Sequence, residues 1–266
     1  MNEPKKKFKI VTDTRARVIL PNTLTLIGVC IGLSSINFAL NGNYKLSIIA
    51  IFFAAIIDGL DGRIARLIKG TSKVGKELDS LTDIISFGVA PSLIMYFWTL
   101  NSLGKVGWLI SLIYVVCIAL RLARFNINTG TEPNWRVNFF EGIPSPAGGI
   151  LVLSPLIYDV SGLNFLPFEI QMITPILFVI ISILLISKIP TYSLKKIVVP
   201  RSTTVFLLFG IILVFGLLLI FPFKIIFIGC LGYLLAIPIS IYHFNKIKKQ
   251  NLNDQSMDDQ EPEDIL

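Results

Sequence analysis

Four aspartates, Asp58, Asp61, Asp79 and Asp83, lie within 26 positions of an otherwise strongly apolar stretch. A carboxylate at the centre of a membrane helix costs roughly 2.5–3.5 kcal/mol on insertion scales, so four together imply use. Their spacing has geometric content. Asp58, Asp61 and Ala65 follow i, i+3, i+7 and share one helix face, while Gly75, Asp79 and Asp83 follow i, i+4, i+8 along another. If the two helices pack antiparallel, both carboxylate pairs converge. Converging carboxylates repel one another, and divalent cations relieve that repulsion. Oxygen-only ligation suits Mg²⁺, Mn²⁺ or Ca²⁺, and two ions sharing bridging aspartates suit phosphoryl chemistry. Gly62 and Gly75 remove side chains beside the acids, so a phosphate or nucleotide can approach the backbone. Arg66, one turn beyond Gly62, offers a charge-assisted contact to phosphate.

The elements that must position these residues are membrane helices. Hydrophobic residues make up 53% of the 266, and charged residues only 15%. Mean hydropathy is +0.73. A soluble domain carries about 25% charged residues. Several apolar runs approach the length of about 20 residues that crosses a bilayer core. The sequence predicts an all-α polytopic membrane protein with about eight spans, near 18–40, 46–68, 76–99, 106–126, 145–160, 170–188, 203–221 and 224–244. The fifth is short and opens with Pro144 and Pro146, which predicts a tilted or broken helix.

Placing the N-terminus in the cytoplasm puts 21 of the 24 Lys and Arg residues on that side; only Lys45, Lys105 and Lys224 face out. The positive-inside rule predicts this bias, so both termini are expected in the cytoplasm. The net charge of +7 is spread through short clusters between spans, which argues against nucleic acid as a partner. Residues 1–17 form a basic amphipathic segment, 18–249 the transmembrane domain, and 250–266 an acidic tail expected to be disordered. Cys30, Cys117 and Cys230 sit in apolar runs and read as small buried hydrophobes.

The acidic segment fits D-x2-D-G-x2-A-R-x8-G-x3-D-x3-D at every fixed position, and so resembles the signature of the CDP-alcohol phosphatidyltransferase family. Pro21-Asn22 with Thr25 looks like that family's usual start, and Ser72 sits where relatives often carry a nucleotide-contacting hydroxyl. The resemblance implies one metal held by Asp58, Asp61 and Asp79, and a second shared by Asp83 with Asp58 and Asp79. Mg²⁺ or Mn²⁺ would serve. Asn22, Gly62, Ala65, Arg66, Ser72 and Gly75 would contact the CDP headgroup, and Asp83 would be the general base. A homodimer is the family's default.

Two further segments, Arg121-Leu-Ala-Arg124-Phe-Asn126 and Pro144-Ser145-Pro146, together with the eight spans, look like the phosphatidylserine synthase branch. The implied substrates are CDP-diacylglycerol and L-serine. A zwitterionic acceptor needs a cation for its carboxylate, which Arg121 or Arg124 is placed to supply, with Asn126 and Ser145 as neutral partners. The alternatives are another acceptor (glycerol 3-phosphate, an inositol phosphate or choline), for which Lys195, Lys196 and Arg201 offer a basic cluster, or a divalent-cation transporter. A compact chain of this kind suits a bacterial or archaeal cytoplasmic membrane, with the active site facing the cytoplasm.

Overall fold

The computed structural model describes residues 14–68, 70, 72–128, 139–165, 169–193 and 203–258. Helix occupies each of the eight apolar stretches: α1 (Thr14–Leu40), α2 (Tyr44–Leu67), α3 (Lys73–Asp83) continuing into α4 (Ala90–Trp98), α5 (Lys105–Asn128), α6 (Ser145–Val152) followed by α7 (Ser154–Ser161), α8 (Ile170–Ile186), α9 (Thr204–Ile220) and α10 (Pro222–Asp258). Four helical stretches, Ile19–Leu40, Lys73–Trp98, Lys105–Ile127 and Pro222–Gln250, are long and apolar enough to cross a membrane; α8 and α9 are shorter apolar helices. The chain is a helical membrane protein. None of the residues of α9 is buried, although it is apolar throughout. That surface suits lipid as its solvent.

The core gathers residues from nearly every helix, including Ile51, Phe87, Ile94, Tyr114, Leu156 and Phe178. Small polar side chains stitch it. Ser47 donates to the Ser35 carbonyl at 2.6 Å and Ser92 to that of Ser111 at 2.9 Å. Such close contacts replace the hydrophobic drive that lipid cannot provide.

Several local features depart from the sequence reading. The α3–α4 rod is not one regular helix, because Ile84–Val89, directly after Asp83, is a π-helical turn. Such turns insert a residue and commonly mark functional sites. The Tyr114 hydroxyl, fully buried, donates to the Phe87 carbonyl inside this turn at 2.9 Å. The fifth apolar stretch is indeed broken, though between α6 and α7, where Pro155 falls in the first turn of α7; Pro146 opens α6. Pro21 lies inside α1 rather than at its start.

The fold is also not purely helical. Phe139–Glu141 (β1) and Pro190–Tyr192 (β2) form an antiparallel ribbon, with Phe140 opposite Thr191. Gly142 follows β1 with φ +71°, and a Cβ there would lie 2.8 Å from the Leu185 carbonyl oxygen. Only glycine fits that left-handed, crowded position. Helix α10 runs to Asp258, into the stretch expected to be disordered. After Pro238, inside the helix, no Gly or Pro occurs before Pro262, so the helix propagates. Cys117 and Cys230 are buried, whereas Cys30 is exposed. The basic segment before residue 14, the end of the acidic tail, and Lys195, Lys196 and Arg201 lie outside the described residues.

Candidate active site

Two helices bring the acidic residues together. Carboxylate oxygens of Asp58, Asp61 and Asp79 lie within 4.8 Å of one another. Asp83 joins the group through Asp58. The convergence of the two acidic stripes is therefore a property of the fold. Three mutually close carboxylates form an oxygen-only donor set that fits a hard divalent cation. Asp61 is almost completely buried, and its carboxylate accepts a 2.7 Å hydrogen bond from Thr25 on α1. Thr25 is one turn beyond Asn22, so α1 addresses both the acids and the pocket beside them. Its backing of Asp61 escaped the sequence reading, although Asn22 and Thr25 share a helix face.

Beside the acids opens a cavity of about 560 Å³. Its lining includes all six residues expected at a CDP headgroup, Asn22, Gly62, Ala65, Arg66, Ser72 and Gly75, together with Asp61 and Asp79. Lys73 and Lys76 also line it and were not singled out from sequence. Their i, i+3 spacing, immediately after Ser72, was the available signal. Ser72 is the N-cap of α3, accepting a 2.9 Å hydrogen bond from the Gly75 amide. The helix thus presents its positive end and two lysines to the cavity, an arrangement that favours anions.

The two motif glycines act differently. A Cβ on Gly62 would meet nothing within 4 Å, so this position is open. A Cβ on Gly75 would lie 2.8 Å from the Asn22 side-chain oxygen and 3.0 Å from the Ser72 hydroxyl. Gly75 lets those two polar groups close in on α3.

The candidate acceptor residues separate into two groups. Arg121 donates to the Ser145 hydroxyl at 2.6 Å, and both Ser145 and Arg121 face Asp83. Arg121 and Asp83 are only 8% and 9% exposed, and Ser145 is fully buried. Arg124 turns elsewhere, donating to the carbonyls of Ile186 at 2.7 Å and Ser187 at 3.2 Å. It caps the C-terminal end of α8, where a cation is favoured. Asn126 donates to Ser80 at 2.9 Å, tying the end of α5 to α3. Glu77 is exposed, as a solvated charge should be.

The family model for CDP-alcohol phosphatidyltransferases matches residues 18–184. A CDP-diacylglycerol–serine O-phosphatidyltransferase from Mycobacterium leprae (strain TN) is 38% identical over 232 residues, covering 85% of this chain and 75% of the relative. One of the same name from Helicobacter pylori (strain ATCC 700392 / 26695) is 38% identical over 179 residues, covering 67% and 74%. An archaetidylserine synthase from Methanothermobacter thermautotrophicus is 33% identical over 142 residues, covering 52% and 57%. With the match spanning most of the chain and the acidic helices inside it, the protein belongs to the CDP-alcohol phosphatidyltransferase family.

Proposed function

We propose that the protein transfers the phosphatidyl group of CDP-diacylglycerol to the hydroxyl of L-serine, giving phosphatidylserine and CMP. The observation that carries this reading is the placement of Asp83. It touches the acid cluster through Asp58 on one side and faces Arg121 and Ser145 on the other. A base for an acceptor hydroxyl and a cation for an acceptor carboxylate are thereby side by side. Relatives named for serine transfer support the same acceptor.

In this reading the cavity beside Asp61 receives the CDP headgroup, with Arg66, Lys73 and Lys76 as counter-charges for its pyrophosphate. Asp58, Asp61 and Asp79 would hold one Mg²⁺ or Mn²⁺, and Asp83 with Asp58 and Asp79 a second; when bound, the ions neutralise charge on the pyrophosphate. Asp83 takes the serine hydroxyl proton as its oxygen attacks the lipid-bearing phosphorus. The bond from that phosphorus to the CMP oxygen breaks, and CMP leaves. Transfer is a direct displacement with both substrates bound. Eight spans, with both termini and the site facing the cytoplasm of a bacterial or archaeal cell, accord with the Lys/Arg distribution. The working unit is a homodimer.

The test is a purified-protein assay offering CDP-diacylglycerol with serine, glycerol 3-phosphate, an inositol phosphate or choline in parallel. Serine should give phosphatidylserine and CMP in equal amounts. EDTA should stop the reaction, and Mg²⁺ or Mn²⁺ restore it. Product from another acceptor alone, or indifference to chelation, would count against the proposal.

A further inference from the structure

Among the described residues, three buried polar atoms around the Arg121 pocket find no hydrogen-bond partner of good geometry: Asp83 Oδ1, Arg121 Nε and the Tyr233 hydroxyl. Buried polar atoms are rarely left unpaired, and each such atom calls for a partner of its own. Tyr233 belongs to α10 and lies beyond residues 18–184, the segment shared with the family at large. The fold nonetheless brings it to this place. Helix α10 packs against β2, and the Tyr233 hydroxyl sits beside Thr191 and Arg121. Thr191 has already given its proton to the Gly142 carbonyl at 2.7 Å. Thr191 can therefore offer the phenol only a lone pair, and the Tyr233 hydroxyl makes no hydrogen bond of good geometry among the described residues.

The three atoms have complementary chemistry. Asp83 Oδ1 accepts, Arg121 Nε donates with a full positive charge, and the phenol donates or accepts. A small molecule carrying a hydroxyl and a carboxylate matches that set. Its hydroxyl would meet Asp83, and its carboxylate the guanidinium and the phenol. A phosphorylated acceptor fits less well. It would bring about two negative charges, while Arg124, the neighbouring guanidinium, is held on the carbonyls of α8.

We infer that Tyr233 is an acceptor-selecting residue, its hydroxyl hydrogen-bonding the carboxylate of the incoming amino acid alongside Arg121. The inference rests on the serine reading above and adds to it a contact from the last helix. It assigns the choice of acceptor partly to a segment outside the shared catalytic region.

The experiment compares full-length wild type with Tyr233→Phe, which keeps the ring and removes only the hydroxyl. Steady-state rates are measured while serine and CDP-diacylglycerol are varied in turn, and melting temperature is followed on the same samples. Loss of a hydrogen bond to a charged group should raise the KM for serine about 10-fold or more. The KM for CDP-diacylglycerol and the melting temperature should stay as in wild type. An unchanged serine KM in an active variant overturns the Tyr233 assignment and leaves the serine reading intact. A joint rise in both KM values with a lowered melting temperature also overturns it, since that marks a packing role. A wild type that makes no phosphatidylserine defeats both.

Discussion

Thr25 and Asp61, 36 residues apart in sequence, are joined by a 2.7 Å hydrogen bond in a buried setting. The hydroxyl takes up one lone pair of the carboxylate and leaves others for the cluster with Asp58 and Asp79. It thereby fixes the orientation of one acid from a helix that contributes none. Partners of this kind, one shell removed from a metal, typically change metal affinity or activity 10–100-fold when lost. Thr25→Val should raise the Mg²⁺ or Mn²⁺ concentration needed for half-maximal activity by about that factor, and Thr25→Ser should largely restore it. A metal titration of activity for the two variants checks this.

Asp83 is placed to take the acceptor's proton, so Asp83→Asn removes the base while nearly preserving shape. Turnover should fall about 10²–10⁴-fold. Thermal unfolding in detergent should show a folded variant. Activity within a few-fold of wild type would remove Asp83 from the role.

Arg121 and Arg124, one helical turn apart, should behave differently. Arg121→Lys keeps a charge but loses the planar fork that reaches Ser145, and should raise the serine KM about 10-fold with little change in stability. Arg124→Ala uncaps α8 and should cost about 1–3 kcal/mol of stability. Melting temperatures and serine KM values, measured for both, separate the two roles. A raised serine KM for Arg124→Ala at unchanged stability would contradict the capping assignment.

Gly142→Ala places a Cβ against the carbonyls of α8 at a positive φ. Strain there should cost at least about 1 kcal/mol. It should also loosen the ribbon that holds Thr191 beside Tyr233. A lowered melting temperature is expected, and an unaffected one would show that the turn adapts.

Local periodicity carried much of this structure. The acidic stripes were readable because i, i+3 and i, i+4 spacings define helix faces, and convergence then required only that two helices meet. The apolar runs fixed where helices form for the same reason. What escaped reading depends on long-range contacts or on small changes of phase. The ribbon pairs three residues with three others about 50 positions away, without strand-length patterning. The π-helical turn after Asp83 adds one residue to a helix whose composition looks regular on both sides. Arg124 and Arg121 look equivalent in sequence, and only the end of α8 distinguishes them. Tyr233 carries no local signal, because its neighbours in space come from α5 and β2.

Everything in the proposed chemistry requires a divalent ion among Asp58, Asp61 and Asp79. Anomalous diffraction from crystals grown with Mn²⁺ and a CDP-linked lipid tests this most directly. The account predicts a peak within direct ligation distance of all three carboxylates, lost in Asp61→Asn. Well-ordered carboxylates with no anomalous density between them, at saturating Mn²⁺ and with the nucleotide bound, would contradict it.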